Sequence, residues 1–171
     1  MAELTPQERL QPSLLDRLTD DEPDKQQESR ERRVLTTKEL RESVRRDLEW
    51  LLNSSNLSAR EGAEEYTFVP GSVLNYGLPA LAGNTAQNID VVELERILRQ
   101  VIWDFEPRLL HNTLKVHAVL SEELMSHNTL IFEIEGELWS QPMPEPLFLR
   151  TEVDLEGGKV KVEEYTGVGS R

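Results

Sequence analysis

Three consecutive residues, Glu106, Pro107 and Arg108, are the best candidates for specific chemistry because they place opposite charges on either side of a residue with a fixed φ. The planar guanidinium of Arg108 can bind a carboxylate through two parallel hydrogen bonds. That carboxylate is Glu106, Asp47 or an acid on another protein. The motif therefore predicts an internal brace or a contact with a partner, and its spacing leaves both open.

Catalytic and metal-binding patterns are scarce. The chain has no cysteine, and the spacing of its three histidines matches no compact metal site. These histidines are His111, His117 and His127. A glycosidase needs two carboxylates across a cleft. The chain has 32 acidic residues, so a pair of them can be chosen easily and is weak evidence for this activity. We therefore expect no catalytic residue, no metal and no cofactor.

Composition limits the class of protein. The 171 residues, of which 37% are hydrophobic and 30% charged, suffice for one domain with a modest core. A formal net charge of −13 repels a phosphate backbone, so nucleic acid is not an expected partner. The sequence shows neither a secretory signal nor a membrane-spanning run, and the absence of cysteine suits a reducing compartment. We expect a soluble, intracellular protein that does not insert into a membrane.

The pattern divides the chain into a flexible acidic arm, residues 1–35, and a single α+β domain, residues 36–171. A short amphipathic helix is expected within the arm at about residues 12–18. Its apolar residues have helical spacing: Leu14, Leu15 and Leu18. This helix folds back onto its own domain or docks in the groove of a partner.

Two longer amphipathic helices should open the domain. The first is expected from about residue 37 to 53, where Thr36 and Glu39 have capping-box spacing. The second is expected from about residue 89 to 105, because Pro107 removes a backbone donor and ends the helix. Both carry an apolar stripe that predicts packing against a common core.

Asp47 and Trp50 flank the stripe of the first long helix. A buried Asp47 needs a cation or hydrogen-bond donors beside it, whereas an exposed one does not. The following loop, residues 54–88, is rich in turn-forming residues but contains apolar groups that are costly to leave in water. We expect it to be irregular but ordered, with these residues packed: Tyr66, Phe68, Val73, Leu74, Tyr76, Leu78 and Leu81.

Strands follow the helices. Alternation of apolar and polar residues predicts four of them, within residues 114–120, 130–138, 147–155 and 160–162. Gly157 and Gly158 predict a two-residue hairpin turn before the last strand. The predicted fold is α+β, with two amphipathic helices packed on one face of a four-stranded antiparallel meander.

Four motifs occur in a fixed order along the chain. They are PSLLDRL at residues 12–18, SVRRDLEWLLN at residues 43–53, SVLNYGLP at residues 72–79 and FEPRL at residues 105–109. Together they resemble the TssE family of type VI secretion baseplate subunits, which is similar to the small wedge protein of contractile phage tails. The resemblance covers nearly the whole chain.

The resemblance implies a non-catalytic subunit of a cytoplasmic baseplate docked at the inner membrane. The implied partners are the wedge subunits TssF, TssG and TssK, the sheath subunits and, indirectly, the hub and spike proteins. It further implies that Glu106, Pro107 and Arg108 contact the wedge and that the arm helix anchors the subunit. The implied anchoring residues are Leu14, Leu15, Asp16, Arg17 and Leu18. Structural support is expected from Asp47, Trp50, Asn75, Tyr76 and Gly77.

Strand pairing is the expected mode of contact with the sheath. The family's small sheet looks like the sheet in sheath subunits that accepts neighbouring strands, and sheet edges can pair with another chain. The candidate edges are Thr113–Leu120 and Val160–Tyr165. The alternative function is a peptidoglycan-cleaving muramidase that uses Glu106 with a second carboxylate.

Overall fold

The computed structural model describes residues 13–19, 24, 35–57, 66–81, 89–119, 128–140 and 143–165. Most of the predicted arm lies outside the described residues, so its flexibility and the division at residue 36 stay predictions. His127 and parts of the long loop, residues 58–65 and 82–88, also lie outside them.

Among the described residues, three α-helices lie at the predicted positions. They are α1 (Leu14–Leu18), α2 (Thr37–Leu52) and α3 (Val91–Phe105). The capping box that opens α2 is confirmed: the Thr36 side chain accepts the Glu39 N–H while the Glu39 carboxylate accepts the Thr36 N–H. The side chain of Asp90 caps α3, and the helix ends at Phe105, two residues before Pro107.

The strands form the predicted antiparallel meander. They are β1 (Lys115–Val119), β2 (Thr129–Leu138), β3 (Glu145–Asp154) and β4 (Lys159–Glu164), in the order β1-β2-β3-β4. The apolar stripes of α2 and α3 and one face of the sheet share a single core cluster. Because α2 contacts β3 and β4 while α3 contacts β1, the two helices cover that face as predicted.

The turn between β3 and β4 differs from the prediction. Asp154 pairs with Lys159, so four residues connect the strands instead of the two-residue turn expected at Gly157 and Gly158. Leu155 is fully buried, and the Asp154 carboxylate accepts the N–H of Glu156. Packing of Leu155 and this side-chain-to-backbone bond start the turn two residues earlier.

The described part of the long loop packs only in part. Leu78 is buried, and Tyr76 and Leu81 pack against the core as expected. The expectation was wrong for four other apolar residues, whose side chains are exposed: Tyr66, Phe68, Val73 and Leu74. Successive tight turns through residues 66–76 supply hydrogen bonds to the backbone, and these four side chains remain in solvent.

Gly77 joins this loop to the end of α2. Its φ is +116°, and a Cβ at this position would lie 2.2 Å from the carbonyl oxygen of Ser54. The close approach allows the N–H of Leu78 to bond to the Ser54 carbonyl at 2.8 Å and the N–H of Asn56 to bond to the Leu78 carbonyl at 2.9 Å. The loop is therefore tied to α2 at a position where only glycine fits.

Candidate functional site: an ion-pair network beside an apolar groove

Arg108 and Glu106 form a bidentate ion pair inside the domain. The Arg108 Nε and Nη2 atoms donate to the two carboxylate oxygens of Glu106 at 2.7 and 2.6 Å. The Glu106 side chain is only 4% exposed, whereas that of Arg108 is 25% exposed. This pairing compensates the buried charge of Glu106.

The same guanidinium reaches α2. Its Nη2 donates to Asp47 Oδ2 at 2.7 Å, and its Nη1 donates to the hydroxyl of Ser43 at 3.1 Å. Burial by itself lowers the pKa of Arg108, but Glu106 and Asp47 outweigh burial and raise that pKa above its usual value. Arg108 is therefore an internal brace between α2 and the segment after α3, which is one of the two roles that the sequence left open.

Arg46 extends the network to α1. Its Nε and Nη2 donate to Asp47 Oδ1 at 3.0 and 2.8 Å, and its Nη1 donates to Asp16 Oδ1 at 2.6 Å. The hydrogen bond to Asp16 raises the pKa of Arg46, burial opposes this, and Asp47 adds to the increase. The charges of Glu106, Arg108, Asp47, Arg46 and Asp16 thus alternate in one continuous network.

Backbone pairing holds Arg108 at the end of the sheet. The N–H of Trp139 donates to the Arg108 carbonyl at 2.7 Å, and the N–H of Leu110 donates to the Glu137 carbonyl at 2.8 Å. Leu109 forms an antiparallel bridge with Leu138. Because these bonds fix the backbone around Arg108, they also fix the position from which its side chain extends to α2.

An apolar groove of about 440 Å³ lies beside the network. Trp50, Tyr76 and Phe105 supply aromatic surface, and Tyr76 meets Phe105 edge-to-face at 5.4 Å. Burial raises the pKa of Tyr76, and the nearby charges of Asp47 and Glu106 raise it further. The groove is lined by Ser13, Leu15, Asp47, Trp50, Leu51, Tyr76, Phe105, Glu106, Pro107 and Arg108.

The arm helix α1 meets the domain through its polar side. Asp16 binds Arg46, and the hydroxyl of Ser13 donates to the other oxygen of Asp16 at 2.7 Å. None of the residues of α1 is buried. Its leucines remain exposed: Leu14 by 71%, Leu15 by 46% and Leu18 by 73%. The helix folds back onto its own domain and still presents an apolar side outwards.

Helix side chains cover the outer edge of β4. The side-chain amide of Asn53 pairs with the backbone of Val160, donating to the carbonyl at 2.6 Å and accepting the N–H at 2.9 Å. Arg45 donates to the carbonyl of Val162 at 3.1 Å. At the other edge, the Glu95 carboxylate accepts the N–H of Ala118 at 2.6 Å. Within the described part of the chain, Arg45 of α2 and Asn53, the residue after α2, therefore hold β4 by three such bonds, and α3 holds β1 by one.

The structure brings eight of the thirteen predicted site residues together at the network and the groove; the five outside both are Leu14, Arg17, Leu18, Asn75 and Gly77. Asp47, Glu106 and Arg108 bond to one another, and Pro107 and Trp50 are exposed at the groove. Asn75 instead braces its own loop by donating to the Pro70 carbonyl at 3.1 Å, and Arg17 is exposed. Gly77 holds the loop beside the end of α2, and Tyr76 packs edge-to-face on Phe105 of α3.

Sequence reasoning missed Arg46, which links α1 to α2. One signal was available, because Arg46 lies four residues before Trp50 on the same helix face, and its guanidinium lies over the indole at 5.1 Å from the ring centre. It also missed the pairing of Asn53 with Val160, residues 107 positions apart. No local pattern encodes that contact.

The carboxyl group that the muramidase alternative requires is enclosed. Both oxygens of Glu106 accept hydrogen bonds from Arg108, and the side chain is almost fully buried. Among the described residues, no group of three or more acidic or histidine side chains is arranged to hold a metal ion. In the same residues, no helix has the length and apolar character needed to cross a membrane.

The fold and the site define a two-layer α+β domain with an internal ion-pair network and an outward-facing apolar groove. The model of a family described as baseplate wedge protein gp25 matches residues 38–143, which is more than half of the chain. The chain therefore belongs to the gp25 family of baseplate wedge proteins and is a structural component of a phage tail-like contractile system. Comparison with curated proteins and with solved structures finds no match.

Proposed function

We propose that this protein is the TssE-type, non-catalytic subunit of a type VI secretion baseplate and joins the wedge to the first ring of the sheath. One observation carries the proposal: every residue that lines the apolar groove belongs to one of four sequence segments, residues 12–18, 43–53, 72–79 and 105–109. These are the segments that resemble the TssE family. Segments far apart in sequence thus converge on one surface.

The wedge side of the proposal uses that groove. Pro107, Trp50 and Leu15 are exposed at it and offer apolar contact area, which is typical of the centre of a protein interface. Glu106 and Arg108 hold the groove wall in place, and their hydrogen bonds are directed inwards. We propose TssF, TssG and TssK as the partners on this side, in the cytoplasm at a baseplate docked on the inner membrane.

Co-purification of the full chain with TssF, TssG and TssK tests the wedge contact. Trp50→Ser should abolish the complex, while Trp103→Ser should not, because Trp103 is a helical tryptophan of similar exposure outside the groove lining. Deleting residues 1–20 removes α1 and should weaken the complex. If the wild type enters no complex, the proposed function is wrong; if both tryptophan variants bind equally, the groove is not the contact.

The sheath side of the proposal uses strand pairing at β1. Among the described residues, Asn53 and Arg45 occupy the outer edge of β4, whereas only the carboxylate of Glu95 holds β1, and an incoming strand can displace it. Lys115 and His117 are exposed on the open face of β1. A partner strand with alternating apolar and acidic residues fits this edge, since its acids would lie opposite these two residues.

Binding of purified sheath subunits to the purified chain tests the choice of edge. Lys115→Glu places a negative charge where we expect acidic partner residues, so binding should fall. Lys161→Glu makes the same change on an exposed residue of β4 and should leave binding unchanged. The reverse result would assign the contact to β4, and equal loss or equal retention would argue against pairing at either edge.

A further inference from the structure

Four large apolar side chains project from the short stretch of residues 66–76, which we call the turn segment. Their exposure is 89% for Phe68, 81% for Val73, 66% for Leu74 and 63% for Tyr66. Single exposed apolar residues are common on protein surfaces, but several large ones within eleven residues are not. These four side chains do not line the groove, so they form a candidate contact surface distinct from it.

The backbone of the turn segment is fixed by its own hydrogen bonds. The N–H groups of Val69, Ser72 and Asn75 each bond to the carbonyl three residues earlier, at 3.1, 3.1 and 2.9 Å. The Asn75 amide closes the segment on the Pro70 carbonyl, and Gly77 follows with its close approach to α2. The backbone hydrogen bonds of these turns form within the segment itself, so the side chains are exposed without loss of any backbone hydrogen bond. A partner would therefore meet a preorganised surface.

The sequence that contains the turn segment is also unusual in its lack of charged residues. From Tyr66 to Ile89 the sequence contains no charged residue, although 30% of the whole chain is charged. Depletion of charge together with exposed aromatic and aliphatic side chains is the compositional signature of the buried centre of a protein interface. The rest of the protein carries the whole net charge of −13.

Three kinds of partner could cover the turn segment: a lipid surface, a second copy of this chain or a different protein. The charge distribution distinguishes among them. A lipid surface is disfavoured because anionic headgroups repel a chain of net charge −13 and the turn segment has no Lys or Arg to offset this. A second copy is disfavoured because two chains that each carry a net charge of −13 repel each other. A different protein, with an apolar cleft rimmed by basic residues, complements both properties.

We propose that the turn segment inserts Phe68 and Val73 into an apolar, basic-rimmed cleft of another wedge subunit and forms a second contact beside the groove. This inference rests on the proposed function. It explains why the chain maintains an exposed apolar surface on an otherwise acidic protein. Phe68 has the largest exposed fraction and is the expected anchor, since buried aromatic side chains dominate interface energetics.

The test compares, in the full chain, a change of the turn segment with a change of a similarly exposed residue on α3. The double variant Phe68→Ser/Val73→Ser should bind co-expressed TssF, TssG and TssK about tenfold or more weakly than the wild type. Val92→Ser removes a valine of similar exposure from α3 and should bind as the wild type does. Thermal unfolding of each variant should match the wild type, because these side chains are in solvent.

Photo-crosslinking adds a direct readout. A benzophenone-bearing phenylalanine at position 68 should crosslink to a wedge subunit, while the same residue at position 92 should not. Equal binding by the double variant and the wild type would overturn the inference and leave the proposed function intact. A wild type that enters no complex overturns both. Flotation of the wild type, but not the double variant, with anionic phospholipid vesicles would assign the segment to lipid, and dimers lost only in that variant would assign it to a second copy.

Discussion

The guanidinium of Arg108 lies between the carboxylates of Glu106 and Asp47, and one atom, Nη2, donates to both at 2.6 and 2.7 Å. Through this arrangement the segment after α3 is joined to the middle of α2, 61 residues earlier in the sequence. Glu106 and Arg108, which the sequence presents as a candidate docking motif, thus pair with each other inside the domain. The hydrogen bonds of Arg108 are directed inwards, whereas Pro107, between the two charged residues, is exposed at the groove.

Removing the cation of this pair should destabilise the fold strongly. Arg108→Ala leaves the buried carboxylate of Glu106 uncompensated, and breaking a buried pair in this way costs about 3–5 kcal/mol. Arg150→Ala is the control, because the pair of Arg150 with Glu133 is more exposed and is worth about 0–1 kcal/mol. Urea unfolding of the three proteins measures the difference. Equal stabilities for the two variants would contradict the role of Arg108 as a brace.

Features that depend on residues close together in the sequence could be predicted, whereas contacts between residues far apart in the sequence could not. The capping box at Thr36 and the stop before Pro107 are local, so α2 and α3 were predicted within two residues of their observed ends. Alternation likewise predicted all four strands. The partner of Arg108 could not be chosen, because that choice depends on how α2 packs against the segment after α3. The exposure of Phe68 was missed because hydrophobicity indicates the cost of leaving a side chain in water and not the direction in which a turn points that side chain.

Gly77 should tolerate no side chain. Gly77→Ala combines a left-handed φ of +116° with a Cβ that would lie 2.2 Å from the Ser54 carbonyl oxygen, so the loop must separate from α2. We expect a loss of about 2 kcal/mol or more in the free energy of unfolding. Gly71→Ala is the matched control, since nothing lies within 4 Å of a Cβ there. Denaturant unfolding checks both, and a Gly77→Ala protein as stable as the Gly71→Ala protein would refute the close approach.

Asn53 should protect the outer edge of β4. Its amide bonds to both the N–H and the carbonyl of Val160, in the way that a residue of a neighbouring strand would. Asn53→Ala should therefore speed hydrogen exchange at the Val160 amide by about five- to tenfold, since a bond to a part-buried group is worth about 1–1.5 kcal/mol. Ser54→Ala, which removes only an exposed bond to Trp50, is the control. Unchanged exchange in Asn53→Ala would show that β4 is closed by other contacts.

The contact between α1 and α2 should depend on pH through Asp16. Partial burial raises the pKa of Asp16, but hydrogen bonds from Arg46 and Ser13 outweigh burial and hold this pKa below its ordinary value of 3.8. Because the folded-state pKa is depressed, the contribution of the contact to stability is fully present above pH 3.8 and is lost as the pH falls through the folded-state pKa. Docking of α1 should thus persist at neutral pH and weaken only in stronger acid.

The indole N–H resonance of Trp50 reports this contact, since Trp50 lies under Arg46 and lines the groove with Leu15. Asp16→Asn removes the titrating charge, so its Trp50 resonance should differ from that of the wild type at neutral pH and the two should converge on acidification. Asp24→Asn, an exposed change elsewhere in the arm, should follow the wild type throughout. Identical Trp50 resonances for the wild type and Asp16→Asn at neutral pH would mean that α1 is not held by this ion pair, and the leucines of α1 would then need another way to be presented beside the groove.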